Sequence, residues 1–94
     1  MKTFPLQIAT PQGLFFEGQA QRVMCRGTSG DLAVLAGHCN FCTALGKGRA
    51  SVVLADGSLF EAVCAGGMLS VLDGACRVLA VNWQWKEEAD KNHP

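Results

Sequence analysis

Apolar residues recur at every second position through most of this chain. In "FPLQIAT", Phe4, Leu6 and Ile8 alternate with Pro5 and Gln7, the period of a strand with one buried face. Pro5 has no amide hydrogen, so the strand sits at a sheet edge or turns that position outward. "TPQG" has the composition of a turn, with Pro fixing one dihedral and Gly permitting an unusual one. In the next run, "LFFEGQAQRVMCR", Leu14, Phe16, Gly18 and Ala20 share one face, whereas Val23 and Cys25 have the opposite parity. That switch predicts a bulge, or a strand that leaves one sheet for another. "GTSG" at 27–30 reads as a second turn, followed by the apolar run "LAVLAG".

The second half carries two Asp-Gly pairs, Asp56-Gly57 and Asp73-Gly74, each between two strand-like runs. Asp-Gly suits a type I′ turn, in which both central residues need positive φ, so two successive hairpins are expected. Gly66-Gly67 predicts a tight bend or a close approach of strands. Many short antiparallel strands separated by frequent turns indicate an all-β fold, a two-sheet β-sandwich or barrel. The sandwich is expected over residues 1–82, with 83–94 as a short tail. Within it only "WKEEADKNHP" has the composition of a helical turn. Trp83 and Trp85 lie two apart, so in extended chain they face one side, to cover the domain's own sheet or to dock on a partner.

Composition narrows the function classes. Ninety-four residues allow one modest core. Only 17% of the chain is charged, and so lightly charged a surface implies partly covered faces. Eight basic residues balance eight acidic ones, which argues against a nucleic-acid partner. "MKTFPLQIATPQG" has no long apolar run and does not read as a signal peptide. The most apolar stretch, residues 61–81, is broken by Asp73, Arg77 and several glycines, so no membrane insertion is expected. Five cysteines, an odd number, do not read as a disulfide framework, and a reducing cytoplasm is expected.

The one string with the look of chemistry is "HCNFC", residues 38–42. A structural zinc site needs four ligands, usually two separated pairs, and no second pair is present. A thioredoxin-like pair needs a helix N-terminus in a βαβ setting. All five cysteines instead suit positions for small apolar groups, because free Cys packs as a small hydrophobe. No Ser-His-Asp set or paired carboxylates can be recognised. "GKGR" at 46–49 lacks the spacing of a phosphate-binding P-loop. No enzyme, cofactor or small-molecule substrate is expected.

"GTSGDLAVLAGHCNFCTAL" resembles the epsilon subunit of F-type ATP synthases, which shows G-x-x-G-[ED]-L-x-[IV]-L-P-G-H-x-P-L-x-T-x-L at this place. Gly27, Gly30, Asp31, Leu32, Val34, Leu35, Gly37, His38, Thr43 and Leu45 fall on it in register. "MKTFPLQIATPQGLFFEG" is similar to that family's opening strands and "AGGMLSVLDGACRVLA" to its Gly-Gly hairpin, so the likeness spans roughly residues 2 to 80. Ala36 and Asn40 replace two usual prolines, which predicts a less rigid loop around His38. "VNWQW" replaces the usual "D-T-A-x-R-A", and the chain stops before a C-terminal helical hairpin.

The resemblance implies the N-terminal β-sandwich of a non-catalytic rotor subunit in the central stalk. It would couple the membrane c ring to the gamma subunit on the cytoplasmic face of the cell membrane, in an ion-driven synthase. Thr10, His38 and Thr43 would lie toward gamma, and Ser29, Gly30 and Asp31 toward the polar loops of the c ring. Without the helical hairpin, the chain would lack the family's inhibitory arm. The alternative expectation is a free-standing β-sandwich binding module with a zinc site at His38, Cys39 and Cys42.

Overall fold

A computed structural model describes residues 2–86, all strand and turn without helix. The strands are β1 (Phe4–Thr10), β2 (Gly13–Gly27), β3 (Gly30–Leu35), β4 (Phe41–Leu54), β5 (Leu59–Leu72), β6 (Ala75–Ala80) and β7 (Trp83–Trp85). The helical turn expected near the C-terminus lies outside the described residues.

The all-β fold class stands, but three strands are long: 15 residues in β2 and 14 each in β4 and β5. Each serves two sheets. The first half of β2 pairs with β1, and its second half pairs with β3 and β4. The change comes where β2 slips register on β4 between Ala20 and Arg22. That bulge is the parity switch seen in the sequence: Ala20, Val23 and Cys25 all end up buried in the core. Likewise β5 pairs with β7 over Ala62–Cys64 and with β6 over Gly67–Leu72.

Two layers result. A front sheet runs β7, early β5, late β4, late β2, β3. A back sheet runs early β4, late β5, β6, β1, early β2. The β1–β2 pairing links the layers into a closed, barrel-like sandwich. One pairing is parallel, β1 on β6. Pro5 is exposed and lies outside that parallel register, as its missing amide requires.

The turns obey their backbone demands. Asp73 (φ 53°) and Gly74 (φ 83°) both take positive φ, as a type I′ turn needs. At the other pair the type I′ expectation fails: only Gly57 is positive (φ 90°). There Gly57 N donates to Leu54 O at 2.9 Å and Leu54 N to Ser58 O at 2.9 Å, giving a three-residue loop. Asp56 keeps ordinary φ because its Oδ1 accepts from Ser58 N at 2.9 Å, a contact that also holds its carboxyl below the usual range.

The core draws on both layers: Leu6, Ile8, Leu69 and Val78 from the back, Val23, Val34, Val52 and Trp83 from the front. Trp83, which sequence reading set in the tail, is fully buried and packs edge-on to Trp85 at 5.4 Å. Both indoles face the domain itself. Trp83 Nε1 has no hydrogen-bond partner among the described residues, a cost of about 1–3 kcal/mol set against a large apolar burial. Three cysteines, Cys25, Cys64 and Cys76, fill small core positions, whereas Cys39 and Cys42 are exposed. Burial raises the thiol of Cys25 to about 12, with help from the nearby Cys64 and Cys76 sulfurs, and that of Cys76 to about 11.

Gly67 is the tightest point of the fold. At φ 137°, a Cβ there would overlap the Leu79 carbonyl oxygen and stand 2.7 Å from Ala80 Cα. Gly67→Ala should therefore lower the unfolding free energy by about 2–4 kcal/mol in urea titration, combining backbone strain with overpacking. Two thiols, Cys39 and Cys42, should react rapidly with an aromatic disulfide in the native protein, and the other three only on unfolding. Because unfolded thiols ionise from about pH 9 and the buried ones later, the thiols should leave stability unaltered at neutral pH and lower it between pH 9 and 12.

Candidate functional site

Two surface regions hold the residues singled out by sequence. The first is the β2–β3 turn, Thr28-Ser29, closed between the paired Gly27 and Gly30. Ser29, Gly30 and Asp31 are all exposed there. Arg26 stands directly across from Asp31, and Arg26 Nε lies 3.4 Å from Asp31 Oδ1. With both side chains more than half exposed, such a pair contributes about 0–1 kcal/mol. A cation from another molecule can take Arg26's place at little cost. The turn is anchored on β4, since Thr28 N donates to Ala44 O at 3.3 Å.

The second region follows β3. His38 N donates to Leu35 O at 3.2 Å, and the imidazole packs on Phe41 with centroids 5.0 Å apart. Asn40 Oδ1 accepts from Asp73 N at 2.9 Å. That bond ties this loop to the β5–β6 turn, a restraint that a proline side chain cannot supply. Thr43 sits opposite Leu69 on β4. Among the described residues no strand pairs with the other edge of Phe41–Thr43, so His38 and Thr43 flank an open sheet edge.

Thr10 is not beside them. It ends β1, where its Oγ1 accepts from Gln12 N at 3.1 Å and holds the β1–β2 turn. Strands β5 and β6 separate β1 from early β4, three strand spacings or about 14 Å. What lies between is apolar. Ala44, Met68 and Leu79 stand side by side in register, with Ala9 next on β1. Met68 is 45% exposed and Leu79 51%, with Leu72 and Val81 also on the surface.

Sequence reading missed this row. Its signal was present: "GGMLSVL" and "ACRVLAV" carry apolar residues at both parities, where a solvent-facing strand would alternate.

Cys39 and Cys42 are exposed, and among the described residues no three His, Cys, Asp or Glu side chains gather as an ion would need. Nor does any described helix have the length and apolarity to cross a membrane.

Comparison with known proteins agrees with this geometry. The family model for the ATP synthase Delta/Epsilon chain β-sandwich domain matches residues 3–86. The "ATP synthase epsilon chain, sodium ion specific" of Acetobacterium woodii is 33% identical over 89 residues, 95% of this chain and 67% of that protein. The epsilon chain of Clostridium novyi is 32% identical over 90 residues, 96% of this chain and 69% of that one. This chain therefore spans about two thirds of such relatives. A chain in the Euglena gracilis mitochondrial ATP synthase structure (OSCP/F1/c-ring) superposes with TM-score 0.83 at 22% identity, covering 95% of this chain and 58% of that one. One in the Tetrahymena thermophila central stalk and c-ring superposes at 0.72, with 15% identity, 87% of this chain and 66% of that one. In sequence and in fold, this chain belongs to the ATP synthase delta/epsilon β-sandwich family.

Proposed function

We propose that this domain is a rigid coupling piece of an ATP synthase central stalk, held by gamma on its back sheet and by the c ring at its β2–β3 turn. It carries no catalytic step; its family contributes a stalk subunit, named epsilon in the relatives. The observation that supports this best is the exposed apolar row Ala44–Met68–Leu79. A lightly charged domain leaves such a row on its surface at a solubility cost unless a partner covers it. Thr43 shares a strand face with the buried Leu69 across from it, and Thr10 with the buried Ile8 two residues before it, so the row lies on the opposite, outward face and is a separate argument for the same sheet. The gamma contact inferred from Thr10, His38 and Thr43 at the ends of the sheet would then extend over its apolar outer face, which supplies the docking centre.

At the other contact, Asp31 offers a carboxylate to a basic polar loop of the c ring, exchanging Arg26 for it. Ser29 and Gly30 present the turn without bulk. Two grips on one body transmit torque only if the body does not shear. A closed sheet whose long strands belong to both layers meets that need, because interiors packed to crystal-like density resist deformation. As part of that assembly, the domain works at the cytoplasmic face of the membrane without entering it.

Both contacts can be tested in a complex reconstituted from this chain, gamma and the c ring. Met68→Glu with Leu79→Lys places opposite charges across the β5–β6 pair, so thermal unfolding should change little, and gamma binding should weaken at least tenfold. Unchanged gamma affinity would remove the back sheet from the interface. Asp31→Lys should weaken ring association by up to about fivefold, the worth of an exposed ion pair, and more strongly at low salt.

A further inference from the structure

We infer that an opening between β2 and β4, on the outer surface of the front sheet, binds phosphoryl groups. The two strands pair at Met24–Ser51 and again at Gly27–Leu45. Two residues lie between these points on β2, and five, Gly46-Lys47-Gly48-Arg49-Ala50, lie between them on β4. The strands must part, and a cavity of about 510 Å³ opens there.

Its lining is unlike the rest of the molecule. Arg26, Lys47, Arg49 and Lys86 line it, against Asp31 and Glu61. Half of the eight basic residues in the chain thus meet in one opening of a protein with zero net charge. Asp31 pairs with Arg26 at 3.4 Å, and Glu61 with Lys86 at 3.7 Å. Lys47 and Arg49, both exposed, have no ion-pair partner among the described residues. An anion entering the opening can pair with both without displacing a carboxylate from either.

The glycines of "GKGRA" make the site possible. A Cβ at Gly48 would meet Arg26 Cβ at 3.0 Å, Cγ at 3.1 Å and Nε at 3.4 Å. Glycine there leaves room for the Arg26 side chain against β4, in the same opening that Lys47 and Arg49 line. This spacing is not that of a P-loop and no helix follows it. The cradle is a parted β ladder instead.

Guanidinium forks match pairs of phosphoryl oxygens, and lysine adds a point charge. The volume is in the range of ligand pockets, far beyond one carboxylate side chain. A polyphosphate in solution and a phospholipid headgroup share this chemistry. Arg26 and Asp31 are shared with the ring contact proposed above, whereas Lys47 and Arg49 take no part in the docking contacts.

The full chain should be titrated with inorganic triphosphate while backbone amide resonances are followed by NMR. Expected are shifts confined to Met24–Arg26 and Gly46–Ser51, weakening as salt rises. Lys47→Gln with Arg49→Gln should reduce the affinity at least tenfold, with thermal unfolding unchanged. Asp31→Asn, which frees Arg26, should raise it a few-fold.

In parallel, co-sedimentation with vesicles of phosphatidylcholine, with and without 30% phosphatidylglycerol, separates the sources. Binding to triphosphate alone assigns the site to soluble phosphates, and variant-sensitive binding to the anionic vesicles assigns it to headgroups. No binding in either arm, or binding that the double substitution leaves intact, overturns the inference. So would equal shifts from a glutamate hexapeptide, which would mark a surface for acidic protein segments.

Discussion

The whole arrangement depends on how closely β5 approaches β6 at Gly67. Without a Cβ, the chain at Gly67 lies against the Leu79 carbonyl and Ala80. Across Gly66–Gly67 the partner of β5 changes from β7 to β6, and Val81 N donates to Gly66 O at 2.8 Å to fix the corner. The β4–β5 hairpin can therefore run through both sheets as one bent ribbon. Any bulkier residue at that corner would push β6 away from β5 within the back sheet and open the core over Leu69 and Val78.

A body built on shared strands moves as a unit. No hinge separates the front sheet, which carries the β2–β3 turn, from the back sheet, which carries the apolar row. Thr28 reaches Ala44 through a backbone hydrogen bond at 3.3 Å, so the two proposed grips are joined by one peptide ladder. On the proposed reading, load taken at Asp31 would pass to Met68 through β4 without crossing a loop. That role draws on rigidity rather than on a reacting group. The buried cysteines fit that account as compact filler among larger side chains.

Much of this was legible in the chain. Alternation placed β1, the register slip in β2 announced itself as a parity change, and Gly66-Gly67 marked the corner. The Asp-Gly signal was right at Asp73 but not at Asp56, where a carboxylate bond to Ser58 N favours ordinary φ at the aspartate. Strand length was misread because glycines and bulges break a pattern without ending a strand. Trp83 looked like tail, since nothing local says that β5 has a free edge waiting for three more residues. All five cysteines read alike as small apolar filler, which holds for the buried Cys25, Cys64 and Cys76 but not for Cys39 and Cys42, which are exposed. Hidden altogether was the basic opening. Arg26 and Arg49 are far apart in sequence, the net charge is zero, and only the pairing of β2 with β4 brings them near each other.

The central claim is that one stiff sandwich is gripped over the outer face of its back sheet. Hydrogen–deuterium exchange of the full chain, alone and bound to gamma, measures this most directly. The account predicts added protection in residues 38–45, 67–70 and 77–81, with the Asp56–Ser58 turn unchanged. Protection confined to the front sheet, or a general loosening of β4 and β5 on binding, would contradict it.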